Sequence, residues 1–279
     1  LPNQLKSIGY NTYYFHSGFE WFYNREVMIP SYGFDTVKFQ EDLADLDYVI
    51  NPTLEVNLEG TAFYDRQDTD MMYFLDEFVD FDEPWYINLL TYSMHGAYNQ
   101  VEFEIHADQL EEAYPNTEMD SEIRNYMLKL IEFDNLLGEL MSELEAEGQL
   151  DNTLFVIFPD HYPYMMDYET YTDYIGVDDN FHEVMRQELI IYANDMTKEV
   201  ISTPGSTMDI TPTVLNMLDS GAEFKYYMGQ DLLGITENYI LYSDLAITDG
   251  SNFLYLNERY VGDASQLAIL EAALEERIT

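Results

Sequence analysis

The sequence predicts an α/β protein with a mostly parallel central sheet flanked by helices, followed by a small C-terminal antiparallel β meander and a closing helix. Three observations carry this. Short apolar runs rich in β-branched and aromatic residues alternate with helical segments, the pattern of a sheet covered by helices. Residues 120–147 repeat apolar side chains at three- and four-residue steps. Beyond residue 235 the chain changes character, to short β-like runs broken by turn dipeptides.

In chain order, residues 11–15 (NTYYF) and 86–91 (YINLLT) are the first strands, joined later by 153–158 (TLFVIF) and 189–192 (LIIY). Residues 39–82 are acidic, aromatic and weakly periodic, an excursion over the sheet with some helix. In the helix at 120–147, Ile123, Tyr126, Met127, Leu130, Phe133, Leu137, Leu140, Met141 and Leu144 form a core stripe. Asp120 or Ser121 caps its start and Gly148 marks its stop. A second helix starts after Asp209, with Asp209 as cap and Pro212 tolerated in the first turn. The meander uses 239–242, 253–255 and 260–261, split by Asp249-Gly250 and Asn257-Glu258, and residues 264–278 form the closing helix. The expected division is an α/β core over 1–235 and a C-terminal meander plus helix over 236–279, packed on that core.

Composition bounds the function. The 279 residues, 47% hydrophobic and 15% aromatic, bury one large core or two unequal ones. There is no transmembrane run of about 18 apolar residues and no signal-like start. The absence of cysteine excludes disulfides, a thiolate metal site and a cysteine nucleophile, without fixing the compartment. With 54 acidic against 11 basic residues, the net charge of −43 repels nucleic acid and anionic bilayers, so no nucleic-acid partner is expected. The acidity itself reads as solubility or adaptation to a salty milieu. An anionic substrate binds such a chain only where Arg, His or a metal ion reverses the potential locally.

Asp160-His161 closes the run 153–158 through Pro159, at the strand end where α/β sheets bind ligands. A carboxylate and an imidazole side by side can face one cation, and the mixed oxygen–nitrogen pair suits Zn, Mn or a similar ion better than Ca. The alternative is a strand-end Asp capping a turn beside a surface His. His16 follows the first strand, Arg25 comes shortly after it, and His95 follows the second strand. Each of these could instead be structural, and Arg25 could pair with Glu20 or Glu26. Three of the five histidines nonetheless sit just past strand carboxyl ends. His106 and His182, in polar loops or helix starts, are set aside.

Ile8-Gly-Tyr-Asn-Thr with His16, Tyr23-Asn-Arg25, Gly33-Phe-Asp35 and Leu90-Thr-Tyr-Ser-Met-His95 are followed by Leu150-Asp-Asn-Thr153, Asp160-His161, Asp209-Ile-Thr-Pro-Thr213 and Met228-Gly-Gln-Asp-Leu232. In this order and spacing, over most of residues 1–260, they resemble the lipoteichoic acid synthase and phosphoglycerol transferase family of sulfatase-like enzymes, within the alkaline phosphatase superfamily. The resemblance implies that Asp160 and His161 are two of the metal ligands, for a divalent ion with Mn ahead of Zn or Mg. It implies that His16, Arg25 and His95 hold the phosphoryl oxygens and glycerol of the substrate, with Tyr23 as an aromatic wall where relatives often place Trp, and that His95 assists the entering or leaving oxygen. Two departures bear on the substrate. Tyr162-Pro-Tyr stands where relatives commonly have a Gly soon after the His, and Gly18 replaces an acidic residue seen in some relatives.

In the family a metal-binding acidic residue and the Thr nucleophile precede the segment matching Leu1. The chain therefore reads as a fragment, inactive alone, of a membrane-anchored parent whose catalytic domain lies on the extracellular face of the bacterial cell membrane. The implied function of the parent is metal-dependent phosphoglycerol transfer from an anionic lipid or glycan precursor. The alternatives are a sulfatase or phosphodiesterase on the same fold, or a catalytically silent binding domain.

Overall fold

The computed structural model describes residues 1–45, 55–58, 61–64, 67–177, 181–255 and 259–278. They form two compact units, one from Gly9–Met196 and one from Asn3–Ile8 with Thr197–Thr279. Among the described residues no helix is long and apolar enough to cross a membrane.

α1 (Pro2–Ser7) belongs to the second unit. The first unit opens with β1 (Asn11–His16), α2 (Arg25–Ser31), β2 (Thr36–Lys38) and α3 (Gln40–Asp45). β3 (Glu55–Leu58) and β4 (Thr61–Tyr64) then form an antiparallel hairpin. α4 (Met72–Phe78), β5 (Trp85–Leu90), α5 (Ala107–Ala113) and α6 (Ser121–Ala146) follow, and then β6 (Phe155–Ile157), α7 (Tyr168–Ile175), α8 (Phe181–Val184) and β7 (Ile190–Tyr192). The excursion over 39–82 thus carries helix, as expected, together with a hairpin that its weak periodicity does not announce. Part of it lies outside the described residues.

The sheet order is β2-β1-β5, all parallel, with β1 in the centre. β1 reads as a continuous apolar run because both of its faces are covered. Tyr13 and Phe15 point into a core shared with Phe74, Leu136, Leu140 and Phe155, while Thr12, Tyr14 and His16 line the other face. The Asp35 carboxylate takes the Thr12 N–H at 3.1 Å and the Thr12 hydroxyl at 2.8 Å, which pins the entry of β2 to β1 and gives the Gly33-Phe-Asp35 landmark its structural role. The strand at 189–192 departs from the parallel expectation: β7 pairs antiparallel with β6, Phe155 facing Tyr192. β6 is also shorter than its apolar run, because Thr153 closes a 3₁₀ turn over Leu150–Asn152.

α6 matches the expected helix to within a residue at each end, with the Asp120 carboxylate accepting the Glu122 N–H at 2.8 Å and Gly148 in the left-handed region. Its buried face differs from the expected stripe. Leu128 and Leu136 are fully buried and Leu137 only partly, and Asn125, Lys129 and Glu132 are buried beside them. A further core forms where α6 meets α7, around Met127, Leu128, Met166 and Tyr171.

In the second unit α9 (Thr207–Met217) starts earlier than expected. Ser206 is the cap, and Asp209 is its capping-box partner, taking the Ser206 N–H at 2.7 Å. Pro212 consequently falls in the second turn, where it denies the Met208 carbonyl its helical donor. Gly229 passes so close to that carbonyl that a Cβ would collide with it. Asp209 also accepts the Gln230 N–H at 2.7 Å and Thr213 Oγ1 the Leu232 N–H at 3.0 Å, so the landmarks at 209–213 and 228–232 are two sides of one contact. The meander runs β8 (Ile240–Leu241), β9 (Ile247–Thr248), β10 (Phe253–Leu254) and β11 (Tyr260–Val261), antiparallel in that order, and α10 (Leu267–Ile278) packs Leu270 against Ile247 and Leu254. β9 has no counterpart among the expected runs, and the Asn257-Glu258 turn lies outside the described residues.

Leu136, 1% exposed, is expected to cost about 2–5 kcal/mol when changed to Ala, by lost transfer energy and the cavity left behind, and the partly buried Leu137 less than half of that. Denaturant unfolding of the two variants checks it, and equal costs would return the core stripe to the positions that periodicity alone selects.

Candidate functional site

β1 and β5 are parallel with His16 opposite Leu90, so both strands release their chains at one edge. His16 is buried, and its Nδ1–H donates to the Leu90 carbonyl at 2.7 Å, which fixes the ring orientation and the tautomer. The chain then folds back over the ring: a Cβ at Gly18 would strike the imidazole. Glycine at position 18 is what this close approach requires.

His95 stands in the loop after β5, its ring stacked on Tyr92 at 5.3 Å and 2°. Its Nδ1 bonds the Gly96 carbonyl at 2.9 Å. Three buried side chains hold this loop. Lys129 of α6 donates to the His95 carbonyl at 2.9 Å, with Glu102 as its ion-pair partner, and Asn125 donates to the Tyr98 carbonyl at 2.8 Å. Asp68 accepts the Tyr92 and Ser93 N–H groups at 2.7 and 3.0 Å and the Ser17 hydroxyl at 2.7 Å. Burial pushes the Asp68 carboxyl up, and the bonds from Ser17, Tyr92 and Ser93 pull it back.

Asp160 and His161 follow β6 and are both exposed, with Nε2 and Oδ1 3.5 Å apart. His161 Nδ1–H donates to the Tyr162 carbonyl at 2.8 Å, so the Nε2 lone pair and the carboxylate face a common point. Two acceptors converging in this way suit a shared cation. Among the described residues no third His, Asp or Glu joins them to make a metal cluster. His161 also meets Tyr164 at 4.8 Å and His95 at 6.4 Å and 83°. Gly96 packs against Met165 with no room for a Cβ, which locks the loop after β5 to the one after β6. With His16 and Tyr92 at 6.4 Å, the structure brings His16, Tyr92, His95 and His161 into one run of neighbouring rings across three strand ends, with Asp160 beside His161.

Arg25 and Tyr23 stand apart from that run. Tyr23 and Asn24 are both in the left-handed region (φ 57° and 56°), a conformation that costs Tyr about 1–2 kcal/mol. The kink delivers Arg25 to the start of α2 with its guanidinium over Phe22 at 5.2 Å and Tyr23 at 5.9 Å. Among the described residues it forms no ion pair with Glu20 or Glu26 and no hydrogen bond to His16, His95, Asp160 or His161. Its charge instead acts on Tyr14, which shares the His16 face of β1. Burial pushes the Tyr14 hydroxyl up to about 12 while Arg25 opposes the shift. Sequence reasoning missed Asp68, Lys129 and Asn125. The spacing of Asn125, Lys129 and Glu132 on one face of α6 was a readable signal for three buried polar groups; Asp68, one acid among 54, offered none.

The sulfatase family model matches residues 1–220. The chain belongs to the sulfatase family. It is 23% identical to lipoteichoic acid synthase-like YvgJ of Bacillus subtilis over 84% of this chain and 36% of the relative, and 24% identical to lipoteichoic acid synthase 2 of the same organism over 84% and 34%. The chain thus spans about a third of the length of these curated relatives. Its fold matches the lipoteichoic acid synthase LtaP of Listeria monocytogenes with a TM-score of 0.69 at 20% identity, covering 98% of this chain and 69% of that one. An alkaline phosphatase superfamily protein of Vibrio parahaemolyticus matches with a TM-score of 0.61 at 17% identity, over 98% and 67%. The lipoteichoic acid synthase-like character and the fold class drawn from the sequence landmarks are both met.

The Tyr14 hydroxyl is buried without a hydrogen-bond partner among the described residues. A tyrosine whose folded pKa of about 12 exceeds its ordinary 10.0 contributes stability fully present below pH 10 and lost as pH rises through 12. Tyr14→Phe is expected to leave stability at pH 7 unchanged or raised by about 1 kcal/mol, and to flatten the alkaline loss. Denaturant midpoints from pH 7 to 12 measure both, and a large destabilisation at pH 7 would reveal a partner for the hydroxyl.

Proposed function

We propose that these residues form part of the substrate and metal site of a phosphoglycerol transferase of the lipoteichoic acid synthase type, acting on an anionic lipid or glycan precursor at the extracellular face of the bacterial membrane. The observation that supports it is the convergence of His16, His95, Asp160 and His161 at the ends of β1, β5 and β6 in a sulfatase-family chain. Asp160 and His161 would hold a divalent ion, Mn ahead of Zn or Mg, whose charge offsets that of the phosphoryl oxygens when bound.

The chain's own residues divide the remaining work. His16, oriented by its bond to the Leu90 carbonyl, would hold the phosphoryl oxygens through Nε2 once the turn at Gly18 that covers this nitrogen moves aside. His95, held by the Tyr92 stack, moves a proton at the entering or leaving oxygen. Arg25 supplies two parallel hydrogen bonds to the phosphoryl group, and the exposed Tyr23 walls the glycerol. The nucleophile and the remaining metal ligands that the family resemblance implies are assigned to none of these residues.

In the complete enzyme, Asp160→Ala is expected to remove bound Mn and transfer activity together, because the carboxylate provides both charge and geometry; full metal content in that variant would sink the assignment. In the complete enzyme, Arg25→Lys keeps the charge and loses the fork, so on a phosphoglycerol donor a fall in activity of about tenfold or more is expected with metal content unchanged. Near-normal kinetics would leave Arg25 as a surface residue stacked on Phe22 and Tyr23.

A further inference from the structure

We propose that Asp68 is the positioning residue of this site: its buried carboxylate ties the loop after β1 to the loop after β5, and so sets where His95 stands relative to His16. The phosphate arm of the test below rests on the functional reading above; the geometric arms do not. Ser17 Oγ and the Tyr92 N–H reach Asp68 Oδ1, each at 2.7 Å, and the Ser93 N–H reaches Oδ2 at 3.0 Å. The Asp68 N–H returns to Ser93 Oγ at 3.1 Å. Ser17 is the residue after His16, and Tyr92 is the ring on which His95 stacks. Asp68 therefore touches neither imidazole and acts on both through their immediate neighbours.

The chemistry of the side chain supports more than a generic tie. Both oxygens are offered donors only, and a carboxylate is the side chain that accepts at both ends and donates at neither. Asn in its place would turn an N–H₂ towards one of these donors. The carboxylate is 0% exposed, a location costly for an acid unless every lone pair facing the protein is used. The polar tie also falls where ladder hydrogen bonds have ended, just past His16 and Leu90, at the point where each loop would otherwise choose its own direction.

The test uses the 279-residue chain and its Asp68→Asn and Ser17→Ala variants. In Asp68→Asn, amide exchange at Tyr92 and Ser93 is expected to rise about 100-fold or more while β1 and α6 amides hold, the local opening of a released loop. The His95 ring resonances should lose the ring-current shift that stacking on Tyr92 gives them. Affinity for the probe glycerol 1-phosphate, followed by histidine shifts, should fall about tenfold or more, as misplacement of a binding group predicts. In Ser17→Ala the Tyr92 and Ser93 amides should remain protected while the His16 resonances move. A folded Asp68→Asn with wild-type His95 shifts would overturn the proposal. If the unmutated chain does not bind glycerol 1-phosphate, the functional reading fails, and exchange and ring shifts still decide the role of Asp68. If Asp68→Asn does not fold, Ser17→Ala decides: His16 resonances left at wild-type positions would overturn the proposal, and displaced ones would support it.

Discussion

Parallel pairing of β1 with β5, in a register that sets His16 opposite Leu90, is the constraint from which the rest of the site follows. Two parallel strands must leave a sheet by the same edge, so the chains that carry His16 and His95 start level with each other. Pairing alone does not bring two imidazoles into register, because each loop is free to turn once its ladder ends. The Leu90 carbonyl captures the His16 ring, Asp68 captures the first residues of both loops, and Lys129 captures the His95 carbonyl.

These captures require charged and polar groups inside the protein, and their energetics explain the unusual face of α6. Asn125, Lys129 and Glu132 would each be costly in a core if left unpaired. Each is satisfied instead: Asn125 by the Tyr98 carbonyl, Lys129 by Glu102 and the His95 carbonyl, Glu132 by His106 at 2.8 Å and by the Thr69 N–H and hydroxyl. α6 thus serves two purposes, filling the core with leucines and bracing the loops with polar groups. The internal cation has a further consequence in a chain of net charge −43: Lys129, paired with Glu102, is neutralised by its own support role.

Burial changes steadily along the ring path. His16 is sealed beneath Gly18, His95 is half-buried on Tyr92, and His161 with Asp160 is open to solvent. Sealing favours a fixed orientation at one end, and openness leaves the side chains at the other end accessible to solvent. Arg25 sits outside this gradient, held by aromatic faces and a kink in the left-handed region, and its charge reaches the path through Tyr14.

The sequence by itself determined the elements whose signals are local. The apolar runs at 11–15 and 86–91 form strands, the periodicity at 120–147 forms α6 with its Asp120 cap, and His16, His95 and Asp160-His161 follow strand ends, because hydrophobic period and chain order are properties of neighbouring residues. Short elements without a period, such as the β3–β4 hairpin and β9, were illegible, as was the antiparallel sense of β7, which depends on which strand it meets. The start of α9 was misplaced by a cap three residues ahead of Asp209, where Ser and Asp compete for the same role. Only the tertiary structure decided which polar residues go inside. The partners of Asp68 lie 51, 24 and 25 residues away in the chain, and a carboxylate is worth burying only where such distant donors have already been brought together.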